Sequence, residues 1–447
     1  MLNKALLFGA RVPRYTSYPT APHFHAGIDE GVYRRWLDDL PSGQPLSLYV
    51  HIPFCDTLCW FCGCHTTVVN RYAPVAAYCG LLLDEMGLLA AASNRPQITH
   101  IHWGGGSPTM LTPGDIARLA HATASHFPIA PGAEFAVEID PRGFTPQLAD
   151  ALAQAGLTRA SIGVQDCDPA VQRAINRIQP METTRAAVDL LRARGVKSLN
   201  IDLIYGLPYQ TVAALRRTIE FALSLDPDRL AIFGYAHVPH FRKHQKLIPE
   251  EALPGVEERF AQAQAADAML SSRGYVAIGI DHFARPSDAL AIAQRQGRLR
   301  RNFQGYTADT APALIGIGAS SIGALPAGYV QNHADVPAYR AVLSAGRLPI
   351  ARGIALSGED RLRRHVIERL MCDLSVDLAA AASSFGRAAD MFAPEISALS
   401  GLADAGIVRI EGTTITVPPQ WRSLTRVICA RFDAYLDPAT ARHALAV

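Results

Sequence analysis

The 447-residue chain is long enough for one large α/β barrel with additions, or for two or three domains, and its 49% hydrophobic content can fill a sizeable core. A net charge of +2 gives no electrostatic case for nucleic acid as the main partner. No apolar run approaches the roughly 18 residues that span a bilayer, and the opening residues, a short apolar stretch followed by Arg11 and Arg14, do not read as a signal peptide. A cytoplasmic protein with no membrane association is expected.

In chain order, short apolar runs at 46–52, 99–103, 134–140, 159–165, 198–205, 229–237 and 275–281 read as strands, with helical patterns between them. One helix is expected over 113–127, with Thr112 as N-cap, Pro113 at its first position and Asp115 as the capping-box acid. Another covers 183–194 and ends at Gly195. Strands alternating with helices predict βαβ units and a parallel sheet. Within the strands, Phe135, Val137 and Ile139 oppose Glu134, Glu138 and Asp140. Ile162 and Val164 oppose Ser161 and Gln165, and Ile201 and Leu203 oppose Asn200 and Asp202. Alternation of this kind puts one face on helices and the other on a polar cavity. An incomplete parallel (β/α) barrel with its site at the C-terminal mouth fits that pattern. The expected division is an N-terminal segment (1–45), a barrel (46–350) and a small, mostly helical, winged-helix-like C-terminal domain (351–447). The last is read from helices at 361–374 and 396–405 and a hairpin over 407–417 turning at Glu411-Gly412.

The stretch HIPFCDTLCWFCGCHT puts Cys55, Cys59, Cys62 and Cys64 on one loop after the first strand. The other cysteines, Cys79, Cys167, Cys372 and Cys429, are isolated and read as ordinary buried thiols. Structural zinc usually takes two separated ligand pairs, and no second CxxC exists here. Clustered thiols in a cytosolic chain point to metal or redox chemistry rather than disulfides. The spacing favours an iron–sulfur cluster, which takes one ligand per iron. By spacing alone Cys64 is either a fourth ligand, closing the cluster, or a neighbouring thiol with another task.

The Cx3CxΦC pattern with Phe61 before the third cysteine resembles the signature of radical S-adenosylmethionine (SAM) enzymes. A longer series is similar to the oxygen-independent coproporphyrinogen III oxidases: PRYTSYPTA (13–21), LYVHIPFC (48–55), CGC (62–64), HWGGGSPT (102–109), GVQD (163–166), INRIQ (175–179), NIDLIYGLP (200–208), YAHVP (235–239), DHFARP (281–286) and RNFQGYT (301–307). The match covers nearly the whole chain and is weakest after residue 350. Haem-chaperone relatives share the barrel and the loop but not PRYTSYPT or CGC, so the oxidases are the better match.

The resemblance implies a cytoplasmic haem-pathway enzyme with a [4Fe–4S] cluster on Cys55, Cys59 and Cys62. It implies two SAM molecules and a 5′-deoxyadenosyl radical that converts two propionates of coproporphyrinogen III to vinyl groups. Tyr49, Phe61, Gly105, Gly106, Ser107, Glu138, Gln165, Arg177, Asp202, Ala236 and Ile322 are the residues it places at SAM; Phe303, Gln304 and Cys64 are those it places at the reaction. It further implies a donor such as flavodoxin or ferredoxin and a chain working as a monomer. Candidate partners for the substrate carboxylates are Arg14, Arg242, Lys243, Arg298, Arg300 and Arg301, and residues 11–21 are a candidate lid over the mouth.

Overall fold

The computed structural model describes residues 7–94 and 96–436. Residues 1–6, part of the signal-peptide reading, and 437–447, the end of the expected C-terminal domain, lie outside them. Twelve strands form one sheet: β1 (Pro45–Ile52), β2 (Gln97–Gly105), β3 (Ile129–Ile139), β4 (Arg159–Gln165), β5 (Ser198–Tyr205), β6 (Arg229–Gly234), β7 (Val276–Ile278), β8 (His282–Ala284), β9 (Ala313–Ile317), β10 (Ile322–Leu325), β11 (Gly328–Asn332) and β12 (Ile350–Ala355). Their spatial order is β12-β11-β10-β9-β1-β2-β3-β4-β5-β6-β8-β7. From β9 across to β6 every pairing is parallel. The outer strands pair antiparallel. The end strands β12 and β7 do not meet, so the barrel is open.

The helix expected from residue 113 is Pro113–His126, and Thr112 Oγ1 accepts from Asp115 N at 3.3 Å. The run at 275–281 is not one strand but the start of a fold-back. Gly279, at φ +52°, turns the chain from β7 into β8, and a side chain there would run into the Tyr306 ring. The helix expected at 396–405 is two short pieces, Ala393–Ala398 and Ser400–Asp404, which join at Leu399. In the C-terminal hairpin Glu411 faces Thr414, so the turn is Gly412-Thr413, one residue later than expected, with Gly412 at φ +60°. Strands β9 to β12 were missed: they are short, and their Gly-rich sequences carry little alternation.

One expectation is corrected. Among the described residues, the helix Ala73–Ala92 is long and apolar enough to cross a membrane by length and composition. A count of uninterrupted apolar residues overlooked it because Asp84 and Glu85 fall inside it. In the fold it packs on the sheet, burying Val75, Leu82, Met86 and Leu89. Its Glu85 is buried, accepting from Gly318 N (2.7 Å), Asn332 Nδ2 (2.6 Å) and the Tyr339 hydroxyl. Burial pushes its carboxyl up to about 7, against the pull of these donors. Each donor orphaned in a buried site costs about 1–3 kcal/mol. Glu85→Ala therefore lowers the unfolding free energy by several kcal/mol, measured by urea denaturation; a loss under about 1 kcal/mol would show that the region relaxes around the gap.

Residues outside the barrel share its core. Phe8 stacks on Phe260, ring centroids 4.3 Å apart, and Phe260 stacks on Trp421. Tyr15 OH donates to Asp433 Oδ2 at 3.0 Å, and Ala434 N donates to Tyr18 OH at 3.0 Å.

Candidate active site

The cysteine loop leaves β1 at Ile52 and is closed at its base by the parallel pairing of Phe54-Cys55 with Thr67-Val68. Backbone groups then pin its far side. Trp60 N donates to Ile175 O (2.9 Å), Asn176 Nδ2 to Leu58 O (2.8 Å), Gln245 Nε2 to Phe61 O (3.0 Å) and His244 Nε2 to Cys62 O (2.8 Å). Gln245 is fully buried and also donates to Ala236 O at 3.1 Å, so it locks the loop to the end of β6.

Cys55, Cys59 and Cys62 line a cavity of about 340 Å³ at the C-terminal ends of the parallel strands. Thr66 Oγ1 donates to Cys55 Sγ at 3.3 Å, and Arg142 Nη2 and Arg177 Nη1 each reach Cys59 Sγ at 3.5 Å. A hydrogen bond from the Cys64 thiol pulls Cys62 down to about 7, and the same bond holds Cys64 well above its ordinary value. Among the described residues no three His, Cys, Asp or Glu side chains converge on a point a single ion would fill. Three thiols spread around one cavity, already receiving donors at sulfur, fit a multi-iron cube better than a zinc ion.

Beside the loop, Gly104, Gly105 and Gly106 end β2. Gly105 has φ +116°, and a Cβ there would lie 2.6 Å from His51 Cε1. At Gly104 it would lie 2.6 Å from Glu138 Oε1. The bare backbone lets Gly105 N donate to Glu138 Oε2 at 3.1 Å, while His102 Nε2 donates to Oε1 at 3.1 Å. Burial works against the Glu138 carboxylate, yet these donors hold it below its ordinary value. Asp140 is likewise held low against burial by Arg142 and Arg177 (Nη1 to Oδ2, 3.1 Å). Arg177 Nη2 also donates to Gly163 O at 2.7 Å. Asp202 behaves differently: burial raises it to about 6, although Ser161 Oγ (2.9 Å) and Asn200 Nδ2 (2.7 Å) both donate to it.

The cavity wall holds Phe61, Cys64, Gly105, Gly106, Glu138, Gln165, Arg177, Asp202 and Gln304 along with the three cysteines. Tyr49, Ser107, Ala236, Phe303 and Ile322 lie off that wall. Tyr49 OH bonds His51 Nδ1 at 3.0 Å, and His51 Nε2 bonds His65 O at 3.0 Å. Since Nε2 must donate to the carbonyl and burial keeps the ring neutral, Tyr49 is the donor to Nδ1. Ser107 Oγ pairs with Thr109 Oγ1. Phe303 and Gln304 form the turn between Asn302 and Gly305, which sends Gln304 to the cavity and Phe303 onto Tyr329, in an apolar cluster that also takes Ile322. Sequence reading missed Arg142 and Gln245, which no motif flags, and His102, which opens the HWGGGSPT stretch but was given no role. Asp140, Ser161 and Asn200 were visible on the polar strand faces but not assigned to the site.

Residues 49–222 match the model of the radical SAM superfamily. The chain is 49% identical to an oxygen-independent coproporphyrinogen III oxidase from Bradyrhizobium diazoefficiens over 438 residues, covering 98% of this chain and 97% of the relative. It is 46% identical to the Paracoccus denitrificans protein of the same name, covering 100% and 99%. The chain belongs to the oxygen-independent coproporphyrinogen III oxidase family. A solved structure, the coproporphyrinogen III oxidase of Escherichia coli described as a radical SAM enzyme, superposes with a TM-score of 0.90 at 38% identity, covering 96% of this chain and 100% of that one. Coproporphyrinogen III oxidases of this kind are radical SAM oxidoreductases of haem and porphyrin biosynthesis. The open α/β barrel and its helical C-terminal region are the fold of the family.

Proposed function

We propose that the cavity at the barrel mouth carries out oxygen-independent decarboxylation of two propionates of coproporphyrinogen III, giving protoporphyrinogen IX. The observation that carries this is the meeting of three thiols, a glycine turn and carboxylates in one cavity. Cys55, Cys59 and Cys62 are assigned to a [4Fe–4S] cluster. With SAM bound, the cluster would supply the one electron that splits the sulfonium into methionine and a 5′-deoxyadenosyl radical; that radical would leave as 5′-deoxyadenosine with one propionate hydrogen, and loss of CO2 with one electron passed to an external acceptor would give the vinyl group.

The chain's own residues set the conditions for that chemistry. Arg142 and Arg177 place positive charge and N–H donors on the Cys59 sulfur, which favours an added electron. Gly105 and Gly106 admit the methionine part of SAM against the backbone. Glu138 and Asp202 face its ribose hydroxyls and cationic sulfonium, Gln165 adds an amide, and Arg177 suits a carboxylate. Phe61 is assigned to the adenine through its backbone. Tyr49, Ser107, Ala236 and Ile322 complete the SAM surroundings from behind the wall, and two SAM molecules are assigned to the site. Gln304, Phe303 and Cys64 are assigned to the substrate side, with Cys64 outside the cluster. A flavodoxin- or ferredoxin-like donor, a monomeric state, a cytoplasmic setting and a lid role for residues 11–21 belong to the same reading.

The direct test is an anaerobic reaction of reconstituted protein with dithionite, SAM and coproporphyrinogen III. Vinyl product accompanied by 5′-deoxyadenosine is expected; deoxyadenosine without vinyl product would reassign the substrate.

Asp202 gives a pH test. Its folded value, about 6, lies above the ordinary 3.8, so its contribution to stability is full below about 3.8 and is lost as pH rises through about 6. SAM binding runs the other way, because only the ionised carboxylate attracts the sulfonium. Affinity for SAM is therefore expected to rise about tenfold between about pH 5 and pH 7.5 and to lose that dependence in Asp202→Asn, measured by anaerobic equilibrium binding. A wild-type profile flat over this range removes Asp202 from the SAM contacts.

A further inference from the structure

Beyond the cavity wall formed by His282 and Tyr306 lies a group of arginines gathered from three parts of the chain. Arg14, from the segment before the barrel, donates from Nη2 to Gly234 O, at the end of β6, at 3.2 Å. Arg301, from the hairpin between the helix Ala289–Arg295 and β9, lies over the Tyr306 ring at 4.5 Å and donates from Nη2 to Arg14 O at 3.4 Å. Arg426, from the C-terminal region, reaches Val12 O at 3.5 Å. Arg259 donates to Tyr235 O at 2.8 Å. Arg14 lies in the electrostatic neighbourhood of Arg301, Arg426 and Arg259, Arg426 also in that of Arg301, and Tyr205 in that of Arg14, Arg259 and Arg426.

The acid that recurs beside Arg14, Arg301 and Arg426 is Asp281, itself engaged with His282 at 2.7 Å. Asp281 is thus shared among the three guanidiniums Arg14, Arg301 and Arg426. Burial depresses Arg14 and takes Arg426 down to about 10, whereas at Arg301 Tyr306 and Asp281 outweigh burial and raise it. Two N–H groups of Arg301, Nε and Nη1, are buried with no hydrogen-bond partner among the described residues. Unpaired buried donors next to like charges are costly, and a protein retains them where an anion completes the set. Arg14 is the exposed member, and its bond to Gly234 O holds it at the C-terminal end of β6, the end of the parallel strands at which the cavity lies.

We propose that Arg14, backed by Arg301 and Arg426, is the receptor for a carboxylate of the substrate, taking a propionate that does not react and so orienting the macrocycle with a reacting arm toward Gln304 and the cysteine loop. This rests on the decarboxylase reading above. The arm must be anionic and long enough to cross the wall at His282 and Tyr306. A neutral side chain at the same position of the ring offers Arg14 no anion.

The test uses the reconstituted full chain as wild type, Arg14→Gln, Arg14→Lys and Arg301→Gln. Two readouts are taken: KM and kcat for coproporphyrinogen III, and the affinity for oxidised coproporphyrin III and its tetramethyl ester by fluorescence. A charged hydrogen bond contributes enough that each Gln variant is expected to raise KM and the acid's Kd about tenfold. Arg14→Lys recovers part of the loss, SAM affinity and iron content stay at wild-type levels, and the ester binds weakly to all four proteins. Wild-type Kd and KM in both Gln variants overturn the proposal, as does an ester that binds as tightly as the acid. If Arg301→Gln does not fold, Arg14→Gln, at an exposed position, decides alone. Vinyl product with unaltered KM in the variants sinks the receptor and leaves the reaction standing. Weakened acid binding in variants of a wild type that makes no vinyl product supports the receptor and sinks the reaction.

Discussion

Cys59→Ser is expected to abolish turnover and to leave the reconstituted protein with a small fraction of its iron and sulfide. Cys59 is the most enclosed of the three loop thiols, at 7% exposure, and it takes donors from two guanidiniums, Arg142 and Arg177. A serine oxygen is a hard, protonated ligand and does not replace a thiolate on iron. Because the loop is pinned by backbone bonds at Leu58, Trp60, Phe61 and Cys62, the substitution removes a ligand without releasing the loop. Thermal melting of the metal-free protein should therefore change little. Cys64→Ser is the matched control, with iron content kept and the SAM-induced change in the cluster spectrum still present. The reverse result, iron lost with Cys64 and kept without Cys59, would mean a cluster closed by protein on all sides and would remove the room for SAM.

Gly106→Ala is expected to be nearly as severe, for steric reasons alone. A Cβ at this position would lie 2.5 Å from Phe54 O, 2.7 Å from Phe54 N and 2.7 Å from Thr66 Oγ1. Two of these atoms are backbone, held by the bonds from Gly106 N to Ile52 O (2.9 Å) and Ser107 N to Phe54 O (2.7 Å). The strain, about 1–3 kcal/mol, has to be relieved by moving Phe54 and with it Cys55, the next residue. Affinity for SAM should fall by more than about tenfold, with cluster occupancy reduced. Gly80→Ala, in the helix Ala73–Ala92 with nothing within 4 Å of its new Cβ, should stabilise by about 0.5–1 kcal/mol and leave SAM binding alone. Equal SAM affinity in Gly106→Ala and wild type, by anaerobic titration, would show that the close approach at this turn is dispensable.

The parallel strands were legible because each alternates: β4 and β5 ran as expected from the first residue to the last, and their polar faces point to one cavity. The cysteine loop and the glycine turn were legible as motifs. Arg142 and Gln245 were not, because each acts through a tertiary contact with a residue far away in sequence, Cys59 and Phe61, which no local pattern encodes. The fold-back at Gly279 was hidden by the same apolar content that made 275–281 look like one strand. Phe303 and Gln304 are adjacent and face different surroundings, a split that only the two-residue turn between Asn302 and Gly305 produces.

The bonds from Tyr15 to Asp433 and from Ala434 to Tyr18 also have a consequence in time. Tyr15 and Asp433 are 418 positions apart. At about 5–20 residues per second, a ribosome delivers the second roughly 20–80 s after the first. For most of that interval the thiol loop exists without the bonds that hold the segment next to Arg14. On the reading proposed above, iron would reach the loop before these bonds form, and the macrocycle would meet a fixed Arg14 only once residues 433 and 434 have been made.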